Sequence, residues 1–447
     1  MVQRVLALVT DVRPEETATA LLMTLNGFVL LMAYSCIKPV REALILEHAG
    51  GAEYKVYMAA GTAVVLLGAV PAYARVSRNL PRNRLVVGVT LFFASHLIGL
   101  YALALTVGNT LALALGFYLW IAVFNMMIVA QFWAFANDLY SERAGKRLFP
   151  LFGVGTSVGA VAGAAVAKAL IDRTGALSMM PIAAVLLVVS AAITQWTHRR
   201  EVGHALDAAA RERATTVIGG SAAEAFRTVL AQRYLLLIAV FSLVFTMVKT
   251  NGDYILARVA RDAANSAVSA GALHPRQVED YIGNIFAGYS LWVDSLSLLI
   301  QTFVVSRLVK RRGLGFSFAV LPVIALADAA LMLVAPVLAS VRWGKTAESA
   351  TDYSLNNTIR NILWLPTSRR AKYLAKQTID TFFVRAGDVS SAALVYLVVE
   401  RLGGSVRTIA TADVGLTAVW LLLARAILKE NKSLLRANHS QASTPDA

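Results

Sequence analysis

The feature that most constrains this chain is a succession of apolar stretches. Each is close to the roughly 20 residues an α-helix needs to cross the hydrocarbon core of a bilayer. They begin near Ala20 and recur to about Leu428, separated by short basic or glycine-marked breaks. The 447 residues are 57% hydrophobic and only 15% charged, whereas a soluble domain of this length needs more charge on its surface. In lipid every backbone polar group must be satisfied internally, which a single apolar segment achieves only as a helix. The expected fold class is therefore all-α and polytopic. The one cysteine, Cys36, excludes an intrachain disulfide framework and any all-cysteine metal site. The apolar run Val5 to Val9 is too short for a signal-peptide core, so the first long helix is expected to act as its own insertion signal.

Hydropathy and punctuation predict twelve transmembrane helices. They fall at about 20–45, 56–75, 85–107, 110–137, 148–171, 176–196, 234–258, 283–308, 314–339, 343–365, 372–400 and 406–428. A formal net charge of +15 raises the question of nucleic-acid binding. The basic residues, however, sort by loop. With these spans, 27 of the 42 lysines and arginines lie in the termini and even-numbered loops, and 11 in the odd-numbered loops. Cytoplasmic loops hold such an excess for orientation. Both termini are thus expected in the cytoplasm, and the charge needs no nucleic-acid partner.

The polar, alanine-rich segment 198–233 divides the spans evenly and reads as a cytoplasmic amphipathic linker. On either side lie expected six-helix bundles, 1–197 and 234–430, followed by a disordered cytoplasmic tail, 431–447. The halves echo each other: Arg75, Arg78, Arg82 and Arg84 follow the second helix, and Arg307, Lys310, Arg311 and Arg312 follow the eighth. Six helices, a linker and six more is the layout of the major facilitator fold, in which two bundles rock around a midplane site. In the fifth helix Gly155, Gly159 and Gly163 repeat every four residues. They predict a close-packed seam between the bundles.

Ionisable residues inside the spans are the candidates for function. The tenth segment carries Glu348, Asp352, Tyr353, Asn356 and Arg360. A charge at the bilayer centre costs about 2.5–3.5 kcal/mol even on a lenient scale, so this helix is expected to line a polar cavity. The run Lys249-Thr-Asn251-Gly-Asp253 interrupts the seventh span, where Lys249 either meets solute or pairs with an acid. Asp294, Asp328, Asp380, Arg385, Asp388 and Asp413 also fall within apolar segments. Arg385 has Asp388 or Asp380 near one helical turn away, a spacing suited to an ion pair. Lys38 and Arg41 flank Pro39 at the end of the first helix. There a proline weakens the backbone ladder and can leave groups for a ligand, although a basic helix end at the outer interface is the alternative. The expected solute-binding residues are Lys38, Arg41, Lys249, Asn251, Asp352, Tyr353, Asn356 and Arg360. The expected supporting or coupling charges are Asp253, Asp380, Arg385 and Asp388.

Three stretches carry a resemblance. The run Tyr34-Ser-Cys-Ile-Lys-Pro-Val-Arg-Glu-Ala-Leu44 resembles the first-helix motif of the nucleotide transporters, the ATP/ADP translocases of plastids and intracellular bacteria. Phe132-Trp-Ala-Phe-Ala-Asn137 with Lys146-Arg-Leu-Phe-Pro-Leu-Phe-Gly153 is similar to their fourth-to-fifth helix signature. Asp352-Tyr-Ser-Leu355, Pro366 and Lys376-Gln-Thr-Ile-Asp380 resemble their tenth and eleventh helix motif. The resemblance implies that Lys38 stands where the family has its first essential lysine and that Arg360 replaces a motif lysine. The chain also departs from the pattern. No acid lies between Tyr118 and Asn137, where the family has a glutamate, and Asp388 stands where it has a lysine in a glycine–serine turn.

The expected function is alternating-access transport of a small anionic, nucleotide-like or other phosphorylated solute by a monomer in the bacterial cytoplasmic membrane. Fixed cations would replace the phosphate's water shell, each contributing on the order of 4 kcal/mol at about 4 Å before desolvation. Two other readings stay open: a proton-coupled exporter of cationic or amphipathic compounds, and a non-transporting membrane scaffold. The Gly-rich stretch from Gly153 lacks a phosphate-loop lysine, and the sequence holds no metal-ligand cluster or nucleophilic triad. No catalytic residue, cofactor or metal is therefore expected, and the chain is not expected to be an enzyme.

Overall fold

The computed structural model describes residues 12–13, 16–79, 82–140, 142–202, 222–367, 375–376 and 378–442. In the first half the long helices are α1 (Thr17–Leu46), α2 (Gly51–Asn79), α3 (Arg82–Val107), α4 (Leu111–Leu139), α5 (Glu142–Thr174) and α6 (Met179–Val202). The linker expected at 198–233 is described only at its ends, by the last turn of α6 and a short helix, Ala222–Ala231.

The second half opens with α7 (Arg233–Ser269). Helix α8 begins as Val278–Leu299 and passes through a π-helical turn, Ile300–Val304. The helix Val305–Val334 then breaks at Gly313, whose φ of 78° and ψ of 171° leave the helical region. Residues 305–312 therefore complete α8, and 314–334 form α9. Helix α10 runs as Leu338–Thr351, a π-helical turn Asp352–Asn356 and Asn357–Leu363. In α11 the π-helical turns Ile379–Phe383 and Tyr396–Arg401 enclose Val384–Val395. Last comes α12 (Val406–Ala442).

Among the described residues, ten helical runs are long and apolar enough to cross a membrane. One of them, Pro275–Val334, holds both α8 and α9. Adding α10, which is too polar to be counted by hydropathy, gives the twelve helices expected from the sequence.

Within the first half, α1 packs on α4, α5 and α6, and α3 on α4 and α6. The glycine ladder explains the closest of these contacts, and it corrects an expectation. Gly155, Gly159 and Gly163 lie against the carbonyls of Thr24, Phe28 and Met32 on α1, so the seam is inside the first bundle rather than between bundles. A Cβ at Gly155 would sit 2.6 Å from the Thr24 carbonyl oxygen, and one at Gly159 would overlap that of Phe28. Gly387 on α11 does the same against α7, 2.6 Å from the Leu243 carbonyl oxygen. The halves thus repeat the device. Because backbone cannot rotate aside as a side chain can, Gly159→Ala is expected to lower stability by about 1–3 kcal/mol. Gly153, with nothing within 4 Å of its Cβ position, is the control: Gly153→Ala should leave the melting curve in detergent unchanged. Equal melting of both variants would refute the seam.

Contacts group the described residues within 1–49, 61–217 and 264–294 into one compact unit, and those within 50–60, 218–263 and 295–447 into another. Each half of the sequence therefore lends the other's unit a short segment. In the first unit, Asp280 Oδ1 accepts from the backbone N–H of Ala176 at 2.6 Å. In the second, Glu53 Oε1 accepts from Arg258 Nη1 at 2.8 Å and from the Tyr254 hydroxyl at 3.0 Å. The second expectation to be corrected is the tail. Helix α12 continues to Ala442, past the residue 431 where disorder was expected. Asn431 is buried and donates to the Tyr234 hydroxyl at 2.8 Å, and Glu430 pairs with Arg233. Residues 443–447 lie outside the described residues.

Candidate functional site

In the second unit the polar run of α7 occupies little more than one helical turn, so its side chains fan out to three neighbouring helices. Lys249 points to α10, where its Nζ donates to Asp352 Oδ2 at 2.7 Å. The other Asp352 oxygen accepts from Asn356 Nδ2 at 2.9 Å. Lys249 Nζ also lies 4.8 Å from the centre of the Tyr353 ring and 5.8 Å from that of Phe245, contacts of cation–π type. Phe245 is one turn earlier on the same face of α7. Its ring is shared by a second cation, because Arg360 Cζ lies 5.6 Å from its centre. Arg360 Nη2 donates to Asp380 Oδ1 at 3.1 Å.

Asp352, Tyr353 and Asn356 all lie in the π-helical turn of α10, and Asp380 in the first such turn of α11. A π turn inserts one residue and re-aims the side chains beyond it, and such turns concentrate at functional sites. The side chains of Lys249 and Arg360 stay 28% and 29% exposed, and Tyr353 is exposed. The acids holding the cations are placed differently: Asp352 is buried and Asp380 is open.

Arg385 settles on one of its two suggested partners, with Nη1 donating to Asp388 Oδ2 at 2.9 Å. Asp388 is buried, and its Oδ1 accepts from Thr250 Oγ1 at 2.9 Å. The pair ties α7 to α11. Asn251 departs from the solute-binding role expected of it. It is fully buried; its Nδ2 donates to Asp413 Oδ1 at 2.6 Å, and its Oδ1 accepts from Ser391 Oγ at 2.6 Å. Both ends of the amide are engaged, so it braces α7, α11 and α12. Asp253 likewise serves a buried partner, Lys345, at 3.4 Å.

The first unit holds the other expected cations. Lys38 Nζ lies 5.3 Å from the centre of the Tyr34 ring, and Arg41 Cζ lies 4.8 Å from that of Tyr118. Arg41 also pairs with the neighbouring Glu42. Helix α1 passes through Pro39 without a break, although the proline, lacking an N–H, gives the Ser35 carbonyl no helical donor.

Lys345 lies in the tenth span and is not among the site residues expected from the sequence. Its side chain is wholly buried; Nζ donates to Glu348 Oε2 and to the Lys249 carbonyl, both at 3.0 Å. Gly252 makes the space, since a Cβ there would lie 2.8 Å from that Nζ. The signal was present, as Lys345 and Glu348 are three apart on a helix already read as too polar for lipid.

A family description matches this pattern of charges and helices. Residues 115–431 fit the model of the TLC ATP/ADP transporter family. The chain belongs to that family. Over 95% of its length it is 23% identical to ADP,ATP carrier protein 1 of Chlamydia trachomatis serovar D, covering 90% of that protein. Among solved structures, the nucleoside transporter NupG aligns with 92% of this chain and 99% of its own at 12% identity, with a TM-score of 0.64. A POT family transporter in complex with a thioalcohol-conjugated peptide aligns over 92% of this chain and 96% of its own at 13% identity, with a TM-score of 0.60. At such identities these two speak for the fold alone, and the fold is that of the major facilitators. As a TLC family member the chain is a multi-pass membrane transporter, which sets aside the scaffold reading.

Proposed function

We propose that the chain moves an anionic, nucleotide-like solute across the membrane by alternating access, with Lys249 and Arg360 as phosphate contacts in its second unit and Lys38 and Arg41 in its first. The observation that carries this reading is the pair of part-exposed cations, Lys249 and Arg360, set over one ring, Phe245. Each is held by a carboxylate. A phosphate oxygen entering the site exchanges one anionic partner for another, so the cation is never left unpaired, and an unpaired cation is what makes low-dielectric sites costly. The exposed Tyr353 adds a flat aromatic surface of the kind on which a base stacks, worth about 1–3 kcal/mol. That the chlamydial relative is an ADP,ATP carrier supports a nucleotide over other phosphorylated solutes.

Thermal shift of the purified protein tests this. Nucleoside di- and triphosphates are expected to stabilise it by about 2.7 kcal/mol when present at 100 times Kd. Stabilisation by cationic dyes alone would replace this reading with that of a cation exporter.

The same reading places a monomer in the bacterial cytoplasmic membrane, with both termini and the linker inside. In a Cys36→Ala background, a cysteine at Ala208 should react only with reagents that reach the cytoplasm, and one at His274 with impermeant external reagents. External labelling at Ala208 would overturn the orientation.

A further inference from the structure

Behind the part-exposed cations, the second unit holds more buried acid than its cations neutralise. Lys249 is matched by Asp352 and Arg385 by Asp388. Glu53, also buried, is matched by Arg258, which leaves Asp328 on α9, Glu348 on α10 and Asp413 on α12, all buried; the buried cations of this unit among the described residues are Lys345, bonded to Glu348, and Lys55. Asp413 accepts from Asn251. Lys345 serves Glu348 and the half-exposed Asp253. Asp328 has neither. The residue is 4% exposed and its carboxyl is pressed against α10 at Gly344, where any Cβ would collide with it, and its Oδ1 has no hydrogen-bond partner. Asp328 thereby meets the face of α10 that also carries Glu348, one helical turn beyond Gly344.

Two carboxylates in contact away from water repel, and nothing on either oxygen can donate unless one carries a proton. We propose that Asp328 and Glu348 form a proton-binding site, one O–H donating across to the other carboxylate, with Lys345 linking it to the solute cations. The loaded pair then carries a single negative charge beside the Lys345 ammonium, which Asp253 shares. Release of the proton leaves two charges facing one ammonium. Lys345 is also bonded to the Lys249 carbonyl and to Asp253, so a change in the pair reaches the turn of α7 that holds the solute contact. Asp253, the half-exposed member, gives the proton its way in. The other titratable groups facing the pair are Asp352 from α10 and Asp413 from α12. That the site exists does not depend on the proposed function; its coupling to solute does.

The test is infrared spectroscopy of the full chain in lipid, without solute and then with ADP. At neutral pH the parent is expected to show the carbonyl stretch of a protonated carboxylic acid. That band should shift in D2O and vanish under alkaline conditions. Asp328→Asn and Glu348→Gln should each remove one such component from the spectrum. A component untouched in both variants overturns the site. If neither variant can be purified folded, a parent with no titrating component overturns it equally. ADP binding by a protein that lacks the component refutes the proton site and leaves the proposed function standing. The component in a protein that no nucleotide stabilises does the reverse. Where both hold, ADP should move the titration midpoint of the band, and a midpoint that stays fixed refutes the coupling.

Discussion

Lys345→Met is expected to lower folding stability by about 3–5 kcal/mol, the range for breaking one side of a buried ion pair. The side chain is 0% exposed, and its ammonium reaches Glu348 at 3.0 Å, Asp253 at 3.4 Å and the Lys249 carbonyl at 3.0 Å. Methionine keeps most of the volume, so packing changes little and the loss is electrostatic. What remains is Glu348, 5% exposed, with no cation and with Asp328 beside it. The loss should shrink when both partners go: Lys345→Met with Glu348→Gln removes the stranded charge, and removing a whole pair costs far less than removing half. Urea or thermal unfolding in detergent reads both variants. A Lys345→Met protein within about 0.5 kcal/mol of the parent, the usual range for surface changes, would show that the ammonium is not the centre of this cluster.

That cluster marks where the sequence stopped being legible. The twelve helices could be read because each span must be apolar and each cytoplasmic loop basic, constraints that act one segment at a time. The polarity of α10 gave its place by the same logic. Partners are a different kind of information. That Arg385 meets Asp388 follows from helical spacing, but Lys249 with Asp352 or Asn251 with Asp413 joins residues 103 and 162 positions apart. No local rule reaches that far. Lys345 lies two turns into α10, and only the gap at Gly252 explains how an ammonium fits inside. The glycine ladder of α5 was legible as a seam, but its partner was not. Four-residue spacing says that one face is thin, and the Thr24, Phe28 and Met32 carbonyls on α1 say what fills it. The tail was misread because a polar composition resembles disorder, whereas Asn431 anchors its helix through one buried tyrosine.

Arg360→Gln is expected to weaken ADP binding by about 10- to 100-fold while changing stability by less than about 1 kcal/mol. The two halves of this prediction have separate causes. Arg360 and Asp380 are 29% and 47% exposed, so water solvates both when the pair is broken, and exposed pairs contribute about 0–1 kcal/mol to folding. Against a phosphate the same guanidinium forms charge-assisted hydrogen bonds, worth about 1.5–3 kcal/mol each, and every 1.4 kcal/mol is about tenfold in Kd. Lys38→Gln should behave in the same way. Arg385→Gln should show the opposite pattern: it strands the buried Asp388, which among the described residues keeps the Thr250 hydroxyl as its hydrogen-bond donor. Stability should then fall by about 3 kcal/mol, with partial recovery in Arg385→Gln/Asp388→Asn and little direct effect on ADP affinity once the fold is restored. Lys249 lies between these cases, since its partner Asp352 is buried although Lys249 itself is part-exposed. Lys249→Gln should therefore lose both affinity and stability. Calorimetric titration with ADP and melting curves on the same preparations separate the two readouts. If Arg360→Gln and Lys38→Gln bound ADP as the parent does, while Asp352→Asn or Asp253→Asn stopped transport, the acids rather than the cations would be the solute contacts, and the solute would be a cation.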